Sequence, residues 1–108
     1  MATYQFRIDS YLLTVVNKPI GMGIVREIGL EGTGNSEHYK SALRFFPGTP
    51  EPEVKIKSNG TMTATVPASD WDAIVDLLRN EKPVWFYGSE SGLCNVSTSA
   101  ETVGEEES

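Results

Sequence analysis

Ser36, Glu37 and His38 are the residue types of a hydroxyl nucleophile, a carboxylate and a general base, and His38 is the only histidine of the chain. Their adjacency argues against that chemistry. Neighbouring side chains diverge along an extended backbone, whereas a triad is assembled from distant segments that converge in space. No serine occupies the glycine-flanked strand-to-helix turn of a nucleophile elbow. His38 is expected to be an ordinary loop histidine. Cys94, the single cysteine, lies between Leu93 and Asn95 with no cation or helix start beside it in sequence. A nucleophilic thiolate needs one or the other to lower its pKa, so a buried structural thiol is expected.

Metal and phosphate chemistry fare no better. One histidine and one cysteine give no zinc-ligand spacing, and the carboxylates form no calcium-loop pattern. Gly21-Met22-Gly23 lacks the third glycine of a dinucleotide fingerprint. The run from Gly29 to Asn35 ends in no Lys-Ser/Thr pair and opens no helix that could present its dipole to an anion. Asp9, Glu27, Glu31 and Glu37 all fall in β-type sequence, and acid–base work requires two of them to meet in a cleft. No cofactor, metal or catalytic residue is assigned, and the chain is expected not to be an enzyme.

The remaining signal is aromatic. In Val84-Trp85-Phe86-Tyr87, alternation sends Val84 and Phe86 to one face and Trp85 and Tyr87 to the other. If the helix covers one face only, Trp85 and Tyr87 are left over. With Arg44 or Arg26 nearby, that pair would suit a protein interface or base stacking.

The elements that must carry these residues follow from periodicity. Trp71, Ile74, Val75 and Leu78 recur at helical spacing, with Leu77 widening the stripe. Ser69 fits an N-cap and Asp72 a weak capping box. Acidic residues lie toward the N-terminal end, and Arg79 and Lys82 toward the other, as the macrodipole favours. Pro83 forbids continuation, so a helix is predicted over about 70–80 with Trp71 and Leu78 buried against a sheet. Tyr4, Phe6 and Ile8 alternate as a half-buried strand, and the phase changes at Asp9-Ser10, which predicts a bulge or turn. Tyr11 to Val16 is apolar on both faces and reads as a doubly covered central strand that Asn17-Lys18-Pro19 breaks. Ile24 to Ile28 reads as its partner, Leu30 to Glu37 as a loop, and Tyr39 to Phe46 as a further strand.

Asn59-Gly60 marks a hairpin. A two-residue loop would pair Lys57 with Met62 and mix the faces. A three-residue loop, Ser58-Asn59-Gly60, pairs Ile56 with Met62 and Val54 with Ala64, which keeps them separate. Gly60 is then the left-handed residue of a bulge. Val84 to Tyr87 and Leu93 to Thr98 form the last hairpin.

These elements imply an α+β fold, mainly antiparallel: a small bent sheet or partly open barrel of six to seven strands, with one helix before the last hairpin. The layout is analogous to OB or Sm-like barrels, without any shared motif. The 108 residues suffice for one β-rich domain over 1–98. Residues 99–108 form an acidic tail expected to be disordered. Four glutamates at Glu101, Glu105, Glu106 and Glu107 account for much of the net charge of −6, and without them eleven acidic residues face nine basic ones. No apolar run approaches the roughly 18 residues of a membrane helix. The N-terminal sequence lacks a signal-peptide pattern, which leaves the sequons at Asn59 and Asn95 without meaning. A single cysteine excludes an internal disulfide framework. The expectation is a cytoplasmic, non-membrane module that self-associates into a homo-oligomer or docks on a protein partner. The alternative is a single-stranded nucleic-acid-binding barrel, which the acidic body disfavours because phosphate contacts dominate such affinity.

Overall fold

The computed structural model describes residues 3–20, 23–34, 37–57 and 61–98. Seven strands form one sheet in the order β4-β5-β3-β2-β1-β6-β7, curled into a half-barrel. They are β1 (Thr3–Ile20), β2 (Ile24–Gly34), β3 (Glu37–Phe46), β4 (Val54–Ile56), β5 (Thr61–Pro67), β6 (Val84–Ser89) and β7 (Cys94–Thr98). A 3-10 turn at Ala68–Asp70 leads into the single described helix, α1 (Trp71–Asn80). Pairing is antiparallel except between β3 and β5, which run parallel because β4 takes the outer position between them in sequence. The acidic tail and the loop Ser58-Asn59-Gly60, with the expected left-handed Gly60, lie outside the described residues. The register that the three-residue loop demands is present: Val54 faces Ala64, Lys55 faces Thr63 and Ile56 faces Met62.

The long β1 ribbon holds the architecture together. Its pairing with β2 slips between Ile8 and Ser10, where Asp9 is the extra residue of the expected bulge. Phe6 and Ile8 point into the half-barrel ahead of the bulge. Without it, the same face would next present Ser10 and Leu12. With it, Tyr11 comes opposite Leu30 and Leu13 opposite Ile28, so the apolar face stays inward. The Asp9 carboxylate accepts from Arg7 Nε at 3.3 Å and from Thr33 Oγ1 at 3.0 Å, tying the bulge to β2. Gly32, opposite Ile8, allows the close approach. A methyl group there would overlap the Arg7 carbonyl oxygen and stand 2.7 Å from the Phe6 ring.

Three expectations are corrected here. Leu30 to Gly34 is strand, not loop, and pairs with both β1 and β3. Its glycines read as breakers, yet they serve a bulge and a tight crossing. The β1 ribbon also continues through Asn17-Lys18-Pro19 to Ile20, with irregular register after Val15. Proline is tolerated there because β6 pairs only with Thr3 to Arg7, leaving the far half of β1 at an edge. For the same reason Tyr11 to Val15 is not doubly covered: Leu12 is 69% and Val15 65% exposed.

The core lies in the concavity of the sheet. Phe6, Phe86, Phe45, Ile28, Leu30, Leu43 and Met62 are wholly enclosed. Phe6 stands between Phe86 at 5.5 Å and Tyr39 at 5.7 Å, centroid to centroid. The helix closes one side with Leu78 buried and Ile74 and Val75 packed on the core. Trp71 is half-buried, its ring edge-on to Phe45 at 5.0 Å. No side chain caps either helical start, so Ser69 and Asp72 do not form the expected box: the 3-10 turn carries Ser69 into helical backbone before α1 begins.

Two substitutions test this account. Leu78→Ala should cost about 2–5 kcal/mol by chemical denaturation, as truncation of a buried leucine does. Gly32→Ala should cost at least about 2 kcal/mol, because the overlapping atom is backbone and only a shift of the bulge relieves it. A variant as stable as the parent would mean the bulge is not fixed by that contact.

Candidate functional site

Trp85 and Tyr87 do face outward from β6, on the convex side, and both are half-buried. Trp85 lies opposite Arg7 on β1 and Ser97 on β7, and Tyr87 opposite Gln5 and Asn95. The two arginines grouped with them by sequence stand elsewhere. Arg44 is on the convex face three strands away, its Nε 3.3 Å from Glu27 Oε1. Arg26 is on the concave side, its guanidinium 5.4 Å above the Trp71 ring. The cation in register with Trp85 is Arg7.

A second surface is more exposed. Tyr11, Leu12 and Val15 are three of the large hydrophobic side chains left open to solvent, and all lie on the far half of β1. Leu12 projects from the convex face over Gly29, while Tyr11 and Val15 share the concave face. Among the described residues no strand pairs with this half of β1 on the side away from β2. A groove of about 850 Å³ opens there between Arg7–Tyr11 and the end of α1, reaching Pro83. Sequence reasoning missed this edge. The signal is present in Tyr11-Leu12-Leu13-Thr14-Val15, apolar on both faces, a pattern that a doubly covered central strand shares.

The residues with chemical potential are dispersed. His38 is exposed on β3 rather than in a loop, paired with Thr33. Glu37 accepts a hydrogen bond from the Tyr39 hydroxyl at 3.0 Å. That bond holds the phenolic proton and raises the Tyr39 pKa, with burial adding to the effect. Ser36 lies outside the described residues. Cys94 faces the concave side, and burial pushes its thiol pKa up, with the negative charge of Asp70 adding to the shift. Among the described residues no three histidine, cysteine or acidic side chains gather as a metal site, and no helix is long and apolar enough to cross a membrane. On the convex face Arg7, Lys40 and Arg44 each stand within 3.3 Å of a carboxylate, from Asp9, Glu31 and Glu27.

The fold therefore defines a small α+β half-barrel with one helix and a partly unpaired apolar strand. The chain matches no protein-family model, and neither a curated protein nor a solved structure shows significant similarity to it.

The state of Cys94 is measurable. Its alkylation rate should titrate with a midpoint above the ordinary thiol value of about 8.5, because burial and Asp70 both penalise the thiolate. Asp70→Asn should lower that midpoint without abolishing the shift, since burial is the larger cause. A midpoint at or below the ordinary value would contradict the burial of the sulfur.

Proposed function

We propose that this protein is a non-enzymatic module that self-associates by antiparallel pairing of the far half of β1 with the same strand of a second copy. The observation that carries the reading is the combination, on one strand, of an unpaired edge and exposed apolar side chains on both faces. Exposed edges in soluble proteins are ordinarily blunted by charge or proline. Ser10 to Val16 holds neither, and the first such residues are Lys18 and Pro19. A strand added antiparallel to itself about a two-fold axis is self-complementary, so one surface supplies both halves of the contact. The groove beside Tyr11 has room for an incoming strand, and the body's small excess of eleven acidic over nine basic residues limits repulsion between copies.

Other readings have less support. Cys94 is favoured as neutral thiol, the reverse of what a nucleophile needs. Arg7, Lys40 and Arg44 on the convex face each already stand beside a carboxylate, which weakens the case for phosphate contacts. The proposal places the module in the cytoplasm, where a lone cysteine has no structural disulfide to form.

Sedimentation of the full chain at tens of micromolar tests the reading. The parent should run as a dimer or larger closed assembly. Leu12→Lys with Val15→Lys should shift it to monomer with little change in thermal stability of the subunit, because both positions are exposed. Trp85→Ser and Tyr87→Ser should leave the mass unchanged. A monomeric parent overturns the proposal. Dissociation by the β6 substitutions alone would move the interface from the β1 edge to the convex face and overturn the edge assignment.

A further inference from the structure

The half-barrel is incompletely filled on the side away from the β1 edge. A cavity of about 460 Å³ lies between α1, the end of β5, the β3–β4 connection and β7. Ile74 and Leu77 of the helix form one wall and Cys94 and Val96 of β7 another, with the enclosed Leu43 and Val66 beneath them. At the mouth the chain crosses itself closely. Gly92 adopts φ +99°, and a Cβ there would stand 3.0 Å from the Pro52 carbonyl oxygen. That glycine holds the β6–β7 turn against the β3–β4 connection and keeps the mouth framed rather than splayed. The volume falls in the range of small-molecule sites, which are typically apolar with a few convergent polar groups.

One charged side chain lines it. Asp70 stands at the start of α1, and its carboxylate makes no capping hydrogen bond to the helix, so its oxygens keep their acceptor capacity. Asp70 and Cys94 line the same cavity, and the negative charge of Asp70 adds to the upward shift of the Cys94 thiol. An apolar chamber with a single uncommitted carboxylate and no cation in its lining repels acids, gives neutral apolar molecules only burial, and gives a protonated amine both burial and charge pairing.

We propose that this cavity binds a small amphiphilic amine, its aliphatic or aromatic body against Ile74, Leu77 and Val96 and its ammonium group on Asp70. This site is independent of the β1 edge, since it lies along Asp70 to Leu77 whereas the edge groove meets Leu78 to Asn80, and it stands or falls separately from self-association.

Cys94 supplies the readout. Its alkylation by iodoacetamide is followed at fixed pH and ionic strength with hexylamine, hexanol or hexanoate at millimolar concentration. Rates are expressed as the ratio with and without the additive within each variant, which removes the change in intrinsic thiol reactivity that Asp70→Asn causes. Hexylamine should slow the reaction, hexanol should protect at roughly fivefold higher concentration, the scale of one partly exposed ion pair, and hexanoate should not protect. Asp70→Asn, at an exposed position, should bring hexylamine down to the level of hexanol. Amide shift changes in Ile74, Leu77 and Cys94 to Val96 on hexylamine addition should accompany protection and fix its location. Absence of protection by hexylamine, equal protection by all three additives, or full hexylamine protection in Asp70→Asn would each overturn the proposal.

Discussion

The single extra residue at Asp9 governs the arrangement of everything else. The β1 strand has two duties: its first half closes the half-barrel against β6, and its second half builds a ribbon with β2 that runs past the barrel wall. A strand with strict alternation would turn Ser10 and Leu12 inward and send Tyr11 and Leu13 into solvent. The bulge restores the phase and adds local twist, which helps seven strands curl instead of lying flat. It exists only because Gly32 lets the Arg7 carbonyl come close. The core rows that follow, Phe6 against Phe86 and Tyr39 and then Leu30 and Ile28 under Tyr11 and Leu13, depend on that phase.

The helix has a narrower role than its clean periodicity implied. It buries Leu78, leans Trp71 on Phe45 and leaves Leu77 over an open chamber. A 10-residue element spans about 15 Å, too short to cover a sheet of this width. Two consequences follow from that mismatch. Beyond its C-terminal end the β1 edge is left bare, and beneath its N-terminal half the β5–β7 opening is left unfilled. Both candidate surfaces are therefore products of one geometric shortfall, and neither arises from an unusual residue.

Local pattern was legible in the sequence; the partition of strands between inside and edge was not. The bulge at Asp9, the helix boundary before Pro83 and the β4–β5 register were all readable, because each is fixed by alternation, by proline or by the cost of turning apolar side chains outward. The failures share a cause. Leu30 to Gly34 reads as a loop in sequence because glycine is a breaker on its own terms, and only the crossing with β1 shows why glycine is required in a paired strand. The expected double coverage fails for Leu12 and Val15 because apolarity on both faces is equally the mark of a central strand and of one left at an edge. Arg26 and Arg44 were grouped with Trp85 by charge and aromatic type, yet register sends one to the concave side and the other three strands away. Composition carries no information about which strands are neighbours.

That ambiguity bears on what the exposed ribbon is for. Leaving Leu12 and Val15 in water forgoes roughly 1.5–3 kcal/mol of burial at each position, and a bare edge invites indiscriminate pairing. The fold limits that hazard by geometry. The edge is open only from about Ser10 onward, because β6 blocks the earlier half and the end of α1 flanks Tyr11. Lys18 and Pro19 then oppose open-ended growth at the far end. A strand added here must enter a slot of defined length beside the helix terminus, a constraint that favours a closed pair over a growing sheet. Under the proposed self-association, the same apolar residues that would make a longer edge aggregate form, on this short one, a bounded and self-complementary contact.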